Sequence, residues 1–196
     1  MNSHFDNPLV EQRELLSGER VVVIDDRAVI KVSGADRLTW LHAMLSQNIA
    51  NLKPGQSADA LLLDANGRIE ENIQIIDDGE NSWLIVFAEH AEKLLAWLDQ
   101  MIFRSKVELV RHPELSVYYG IGTEFGLTWV DPWPEVVAGG VRYALEAPTF
   151  NGREHILAQA PQIELVPMEA AEALRVAAHR PRQLTEVDDR SLPHEL

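Results

Sequence analysis

The sequence predicts an α+β fold in which helices pack on mostly antiparallel sheets. One observation is a pair of apolar runs, Ala60-Leu61-Leu62-Leu63 and Ile73-Gln74-Ile75-Ile76, flanking Asp64-Ala65-Asn66-Gly67-Arg68. The second run alternates, with Ile69, Glu71, Ile73 and Ile75 on one face and Glu70, Asn72 and Gln74 on the other. A period of two around Asn-Gly marks a β-hairpin with one buried face. The other observation is a pair of helical stripes before and after it. Leu38, Leu41, His42 and Leu45 recur at helical spacing, widened by Trp40 and Met44, and Leu94, Leu95, Trp97, Leu98, Met101 and Ile102 form a second amphipathic helix.

The remaining elements follow in order. Asn7-Pro8 before Leu9-Val10-Glu11, closed by Gly18, reads as a short capped helix with Pro in its first turn. Val21–Ile24 and Ala28–Val32 read as strands joined by Asp25-Asp26-Arg27, and Lys53-Pro54-Gly55-Gln56 as a turn. Trp83–Phe87 and Val107–Val110 complete a β-α-β-β-β-α-β unit over residues 21–110 with both helices on one sheet face. Ser116–Ile121, Gly140–Leu145 and His155–Leu157 suggest a second small sheet, and Pro167 opens a helix running to about Ala178. Residues 111–196 are therefore expected to form a second subdomain, truncated where the polar tail runs out at Leu196.

The 196 residues carry a formal charge of −14, and 46% of them are apolar, ordinary for a globular chain. Such an acidic surface repels phosphate backbones, so direct nucleic-acid binding is not expected. The dense basic cluster is Arg175, His179, Arg180 and Arg182, which reads either as cations at a helix C-terminus or as an anchor for an anion. There is no cysteine, so neither disulfides nor thiolate chemistry arise within these residues. No apolar run approaches the roughly 20 residues that span a bilayer, and residues 1–20 are too polar for a signal peptide, so no membrane partner is expected and the cytoplasm is the expected location.

Motifs of chemistry are few. His42, on an apolar helix face, reads as a packed core residue. His90, His112, His155 and His179 share no metal-ligand spacing, and no metal site is expected. Gly120-Ile121-Gly122 lacks the third glycine of a dinucleotide fingerprint. Asp64, Glu70 and Glu71, beside a hairpin turn, read as solvated charges before acid–base groups. These residues alone give no reaction.

A resemblance adds one. Ile24-Asp25-Asp26-Arg27 through Gly34-Ala35-Asp36, then Leu63-Asp64-Ala65-Asn66-Gly67-Arg68-Ile69-Glu70-Glu71-Asn72, then Glu172–Arg182 and Asp188–Glu195, resemble in order the folate-binding YgfZ/GcvT family. That family includes the glycine-cleavage T-protein, an aminomethyltransferase, and the YgfZ proteins of iron–sulfur cluster maintenance; the tail here is in the style of actinobacterial YgfZ proteins. The resemblance implies two ferredoxin-like, GcvT-type folate-binding subdomains. It implies tetrahydrofolate as the cofactor, with Arg27, Asn72, Glu154, Ala171 and Arg175 as folate-binding residues in a cleft. Glu154 enters through Asn151-Gly152-Arg153-Glu154, which is similar to the family's Gly-x-Glu strand. Arg27 and Ala171 stand where some relatives have tryptophan.

Aminomethyltransferases carry an aspartate at the position of Asn72, and asparagine cannot ionise; YgfZ-type members tolerate it. The YgfZ Lys-Gly-Cys motif and the family's C-terminal barrel lie outside these residues. The expectation is a YgfZ-like, folate-binding accessory protein for iron–sulfur cluster assembly and repair, including clusters of tRNA-modifying enzymes. It would act as a monomer with iron–sulfur proteins as clients and without catalytic residues of its own. The alternatives are a non-catalytic structural subunit of a folate-linked enzyme, or an aminomethyltransferase.

Overall fold

The computed structural model describes residues 7–134, 151–188 and 190–193. The strand expected at Gly140–Leu145 lies outside them, as do His194 and Glu195. In order, the elements are α1 (Pro8–Leu16), β1 (Val21–Ile24), β2 (Arg27–Ser33), α2 (Arg37–His42), β3 (Ser57–Leu63), β4 (Ile69–Asp77), β5 (Asn81–Phe87), α3 (Ala91–Gln100), β6 (Glu108–Arg111), β7 (Ser116–Ile121), β8 (Leu127–Val130), β9 (Gly152–Leu157), β10 (Leu165–Val166) and α4 (Met168–Ala177).

Two five-stranded sheets result, one ordered β3-β4-β5-β2-β6 and the other β10-β1-β7-β9-β8. All pairings are antiparallel except β1 with β10. The fold class is α+β, as the periodicity predicts. Sheet membership does not follow chain order across residues 21–110: β1 leaves the unit and pairs with β7 and β10 in the second sheet. Asp25 and Asp26 alone carry the chain from one sheet to the other.

The β3–β4 hairpin forms for local reasons. Asp64 Oδ1 accepts the amides of Asn66 (2.7 Å) and Arg68 (2.8 Å), and Gly67 supplies the positive φ of +80° that the turn needs. In α1, the Asn7 side chain accepts the Leu9 amide at 3.1 Å, and Pro8 occupies the first turn.

On one face of the first sheet, Ala28, Ile30, Val32, Ala60, Leu62, Ile73, Ile75, Leu84 and Val86 pack under Trp40 and Leu41 of α2 and Ala91, Leu94 and Leu98 of α3. Both helices thus share a face, and each fully buried Leu or Ile there contributes about 1.5–3 kcal/mol. The other face meets the second sheet through Val29, Ile76 and Ile85 against Val117, Trp129 and Ile156. Beyond that contact the same side of the second sheet is covered by α1 and α4, with Leu15, Ala170 and Ala171 against Val22 and Tyr119.

Three expectations are corrected here. Helix α2 ends at His42, and Leu45 instead forms an isolated bridge with Leu62. His42 therefore falls at the helix end, exposed, with Nδ1 3.2 Å from the Gln47 carbonyl, and is no core residue. Glu71, expected to be solvated, is 2% exposed on the helix side of β4, where burial raises its pKa against the opposing pull of His90. Its carboxylate lies 2.7 Å from His90 Nδ1 and accepts the Phe87 amide at 3.4 Å.

On the opposite side of β9 from Glu154 and Ile156, His155 is fully buried. The Phe125 amide donates to its Nδ1 (3.4 Å), while Thr128 Oγ1 lies 2.9 Å from Nδ1 and Thr123 Oγ1 2.8 Å from Nε2. Burial, aided by the nearby Arg153 charge, pushes its pKa down to about 4, so the ring is neutral.

Candidate functional site

A cleft of about 390 Å³ opens where the two sheets diverge, walled by β2–β5 on one side, β7–β9 on another and α4 with the following segment on a third. That volume lies in the range of small-molecule sites, about 300–1,000 Å³. Arg27, Asn72, Glu154, Ala171 and Arg175, which lie far apart in the chain, all line it.

The period-two alternation of β4 sends Asn72 and Gln74 into the cleft. Asn72 Nδ2 donates to Asp59 Oδ1 on β3 at 3.0 Å, and Gln74 Nε2 donates to Glu154 Oε1 across the sheets at 2.9 Å. Glu70, which shares their side of the strand, is exposed and contributes its backbone carbonyl to the Gln183 amide at 2.7 Å. The other end of that side chain, Gln183 Oε1, accepts the Asn72 amide at 2.8 Å. The segment after α4 is thus pinned along β4.

Arg27 pairs across the ladder with Phe87 and lays its guanidinium 4.0 Å from the centre of that ring. Its Nε and Nη1 are buried without a hydrogen-bond partner. Gln74 Oε1 and Glu154 Oε2 are likewise buried and unpartnered. Buried polar atoms left unsatisfied in a cleft are the atoms a ligand would satisfy.

Arg175 stands differently. It pairs with Glu172 (3.0 Å) and with Glu186 (3.0 Å), so its fork is filled from within the chain. Arg182 pairs with Asp26 and Glu172, and Arg180 with Asp131 at 3.0 Å. The basic cluster is thus neutralised by carboxylates around the cleft mouth, while His179 is exposed. Ala171 is 8% exposed and packs in the core under α4 while lining the cleft with its methyl.

Asp59 is the residue that sequence reading missed. Burial drives its pKa up to about 7, helped by the nearby negative charges of Asp131 and Glu154 and opposed by Asn72 and Arg27. A lone carboxylate between Ala58 and Ala60 at an alternating strand position was the available signal. Burial and Glu154 also raise the Tyr119 phenol's pKa, so it stays protonated.

No protein-family model matches the chain. Among curated proteins it is 24% identical to an aminomethyltransferase of Nitrosococcus oceani over 126 residues, 63% of this chain and 34% of that one. It is 32% identical to an aminomethyltransferase of Bacillus velezensis over 72 residues, 36% of this chain and 20% of that one. It is 25% identical to the tRNA-modifying protein YgfZ of Yersinia enterocolitica over 122 residues, 61% of this chain and 37% of that one. The chain is a relative of the aminomethyltransferases and YgfZ.

The fold agrees. The glycine cleavage system aminomethyltransferase T of Bartonella henselae superposes with a TM-score of 0.58 at 16% identity, over 88% of this chain and 48% of that one. The α+β architecture is thus GcvT-like. The matched stretches span about a third or less of the length of the curated relatives named here, and the superposition spans about half of the solved one. Among the described residues no helix is long and apolar enough to cross a membrane.

Proposed function

We propose that the chain binds a reduced folate in the cleft and serves, as a YgfZ-like cytoplasmic accessory protein, iron–sulfur proteins that include tRNA-modifying enzymes. One observation carries the ligand: Arg27, Asn72 and Glu154 line one cleft in which Arg27 Nε and Nη1, Gln74 Oε1 and Glu154 Oε2 are buried and unpartnered. A reduced folate has a flat pterin rich in donors and an anionic glutamate tail. The acceptors of Gln74 and Glu154 suit the donor edge of the pterin, with Asn72 beside it. Arg27, with two unpartnered guanidinium nitrogens, suits a tail carboxylate.

In this reading Ala171 contributes only shape, and Arg175 holds the mouth of the cleft together through Glu172 and Glu186. The accessory role is favoured over aminomethyl transfer because Asn72 offers an amide where a transferase has a carboxylate, and because YgfZ is among the relatives.

Calorimetry with 5-formyltetrahydrofolate is the test. The native chain should bind, and Asn72→Leu and Arg27→Ala should each weaken binding about tenfold, the worth of roughly 1.4 kcal/mol. Equal binding by all three would remove the cleft assignment, and no binding by the native chain would remove the folate reading.

A further inference from the structure

We propose that Asp59 is the proton-exchanging group of the cleft, taking up a proton when a ligand covers it. The proposal rests on the folate reading for the choice of ligand, and on the geometry of the cleft for the rest.

Asp59 faces the cleft from β3, and the Asn72 side-chain amide donates to its Oδ1 at 3.0 Å. The groups facing it come from every wall. Asn72 lies on β4, Arg27 on β2, Glu154 on β9, and Asp131 follows β8. Among these, Arg27 is the one cation and two are carboxylates, of which Asp131 is itself paired with Arg180 at 3.0 Å. Next to them Gln74, 6% exposed, turns Oε1 inward with no partner, and Glu154 Oε2 is unpartnered too. Apart from the Arg27 donors, the unpartnered atoms of the inner wall are therefore acceptors, and an ionised Asp59 adds to their number. A proton on Asp59 turns one acceptor into a donor and removes one of three crowded negative charges.

Burial already lifts this carboxyl to a pKa of about 7 in the free protein. A ligand seated against it takes away its remaining exposure and leaves it beside the Asp131 and Glu154 carboxyls. Both effects favour the neutral form. Proton uptake on binding follows for a ligand whose ring is uncharged, as a reduced pterin is near neutral pH. By linkage the ligand binds more weakly as pH rises above 7, by about twentyfold between pH 6.5 and 8.5. The carboxyl thereby supplies from β3 an exchangeable proton that the amide of Asn72 on β4 cannot supply.

Two measurements on the full chain decide this. The first follows the Asp59 carboxyl by carbon NMR through a pH titration of the ligand-free protein, assigned by its loss in Asp59→Asn. A midpoint near 7 is expected; an ordinary midpoint near 4 overturns the proposal whether or not folate binds. The second is calorimetry of 5-formyltetrahydrofolate at pH 8 in two buffers of different ionisation enthalpy. The native chain should take up close to one proton and Asp59→Asn none, and equal uptake by both, or none by the native chain, overturns the proposal. Should neither chain bind the folate, that reading falls, and the free-protein titration alone decides. A midpoint near 7 then upholds the exchangeable proton, and an ordinary one removes it.

Discussion

Arg37 grips Asp77 with two parallel hydrogen bonds, Nε to Oδ2 at 3.0 Å and Nη2 to Oδ1 at 2.9 Å. The carboxylate is 1% exposed and also accepts from Ser82 Oγ (2.8 Å) and the Gly79 amide (2.9 Å). The start of α2 is thereby tied to the β4–β5 turn. Removing one partner leaves a charge buried without its mate, which costs about 3–5 kcal/mol. Urea denaturation of Arg37→Ala should show that loss. A double variant Arg37→Ala, Asp77→Ala should lose less than the sum of the two single changes.

Gly34 and Gly67 separate backbone conformation from space. Both have positive φ, +109° and +80°. A Cβ at Gly34 would sit 2.0 Å from the Lys106 carbonyl oxygen, whereas one at Gly67 meets nothing within 4 Å. Gly67→Ala should cost about 1–2 kcal/mol for the left-handed backbone alone. Gly34→Ala adds a backbone collision and should cost clearly more, about 2–4 kcal/mol. Thermal or urea unfolding of the two variants checks the order.

Asp59 and His155 pull the pH profile of stability in opposite directions. Asp59 keeps its proton up to about pH 7 in the fold, against about 4 when unfolded, so it lowers stability as pH rises through that window. His155 is neutral in the fold down to about pH 4 but protonates near 6.5 when unfolded, so its contribution is lost as pH falls from 6.5 to 4. Each amounts to roughly 3–4 kcal/mol at most, so the two nearly cancel in the native chain. Asp59→Asn should be more stable than the native chain at pH 8, equal to it near pH 3.5, and should expose the rising His155 limb between pH 4 and 6.5. A urea-denaturation series across pH tests all three.

Arg27 and Arg175 line the same cleft but should respond differently to truncation. Arg27→Ala removes free donors and should weaken folate binding about tenfold with little change in melting temperature. Arg175→Ala breaks a network with Glu172 and Glu186 and should lower stability by about 1–3 kcal/mol, its effect on affinity being secondary. A larger affinity loss for Arg175→Ala than for Arg27→Ala would contradict this division.

Local periodicity made the β3–β4 hairpin, α3 and the one-faced placement of the helices readable from the chain. Non-local pairing was not. Nothing within Val21–Ile24 says that its partners are Tyr119 and Leu165 rather than a neighbour in sequence. Leu127–Val130 and Leu165–Val166 are too short to show alternation. The convergence of Arg27, Asn72, Glu154, Ala171 and Arg175 came from family resemblance, since no spacing predicts it. The filling of Arg175 by Glu186 depends on a turn after α4 whose course composition does not fix, and the one signal for Asp59, a lone carboxylate between alanines at an alternating strand position, does not by itself say which way the side chain faces.

The crossing at Asp25-Asp26 sets a mechanical limit. Ile24 and Arg27 both line the cleft, one from each sheet, and are separated by three peptide steps. At about 3.8 Å per step their Cα atoms can stand no more than about 11 Å apart however the molecule breathes. Arg182 grips Asp26 in the middle of that tether. The walls at this end therefore cannot part by more than that short tether allows, and the width of the cleft beside Ile24 and Arg27 is fixed by chain connectivity as well as by packing.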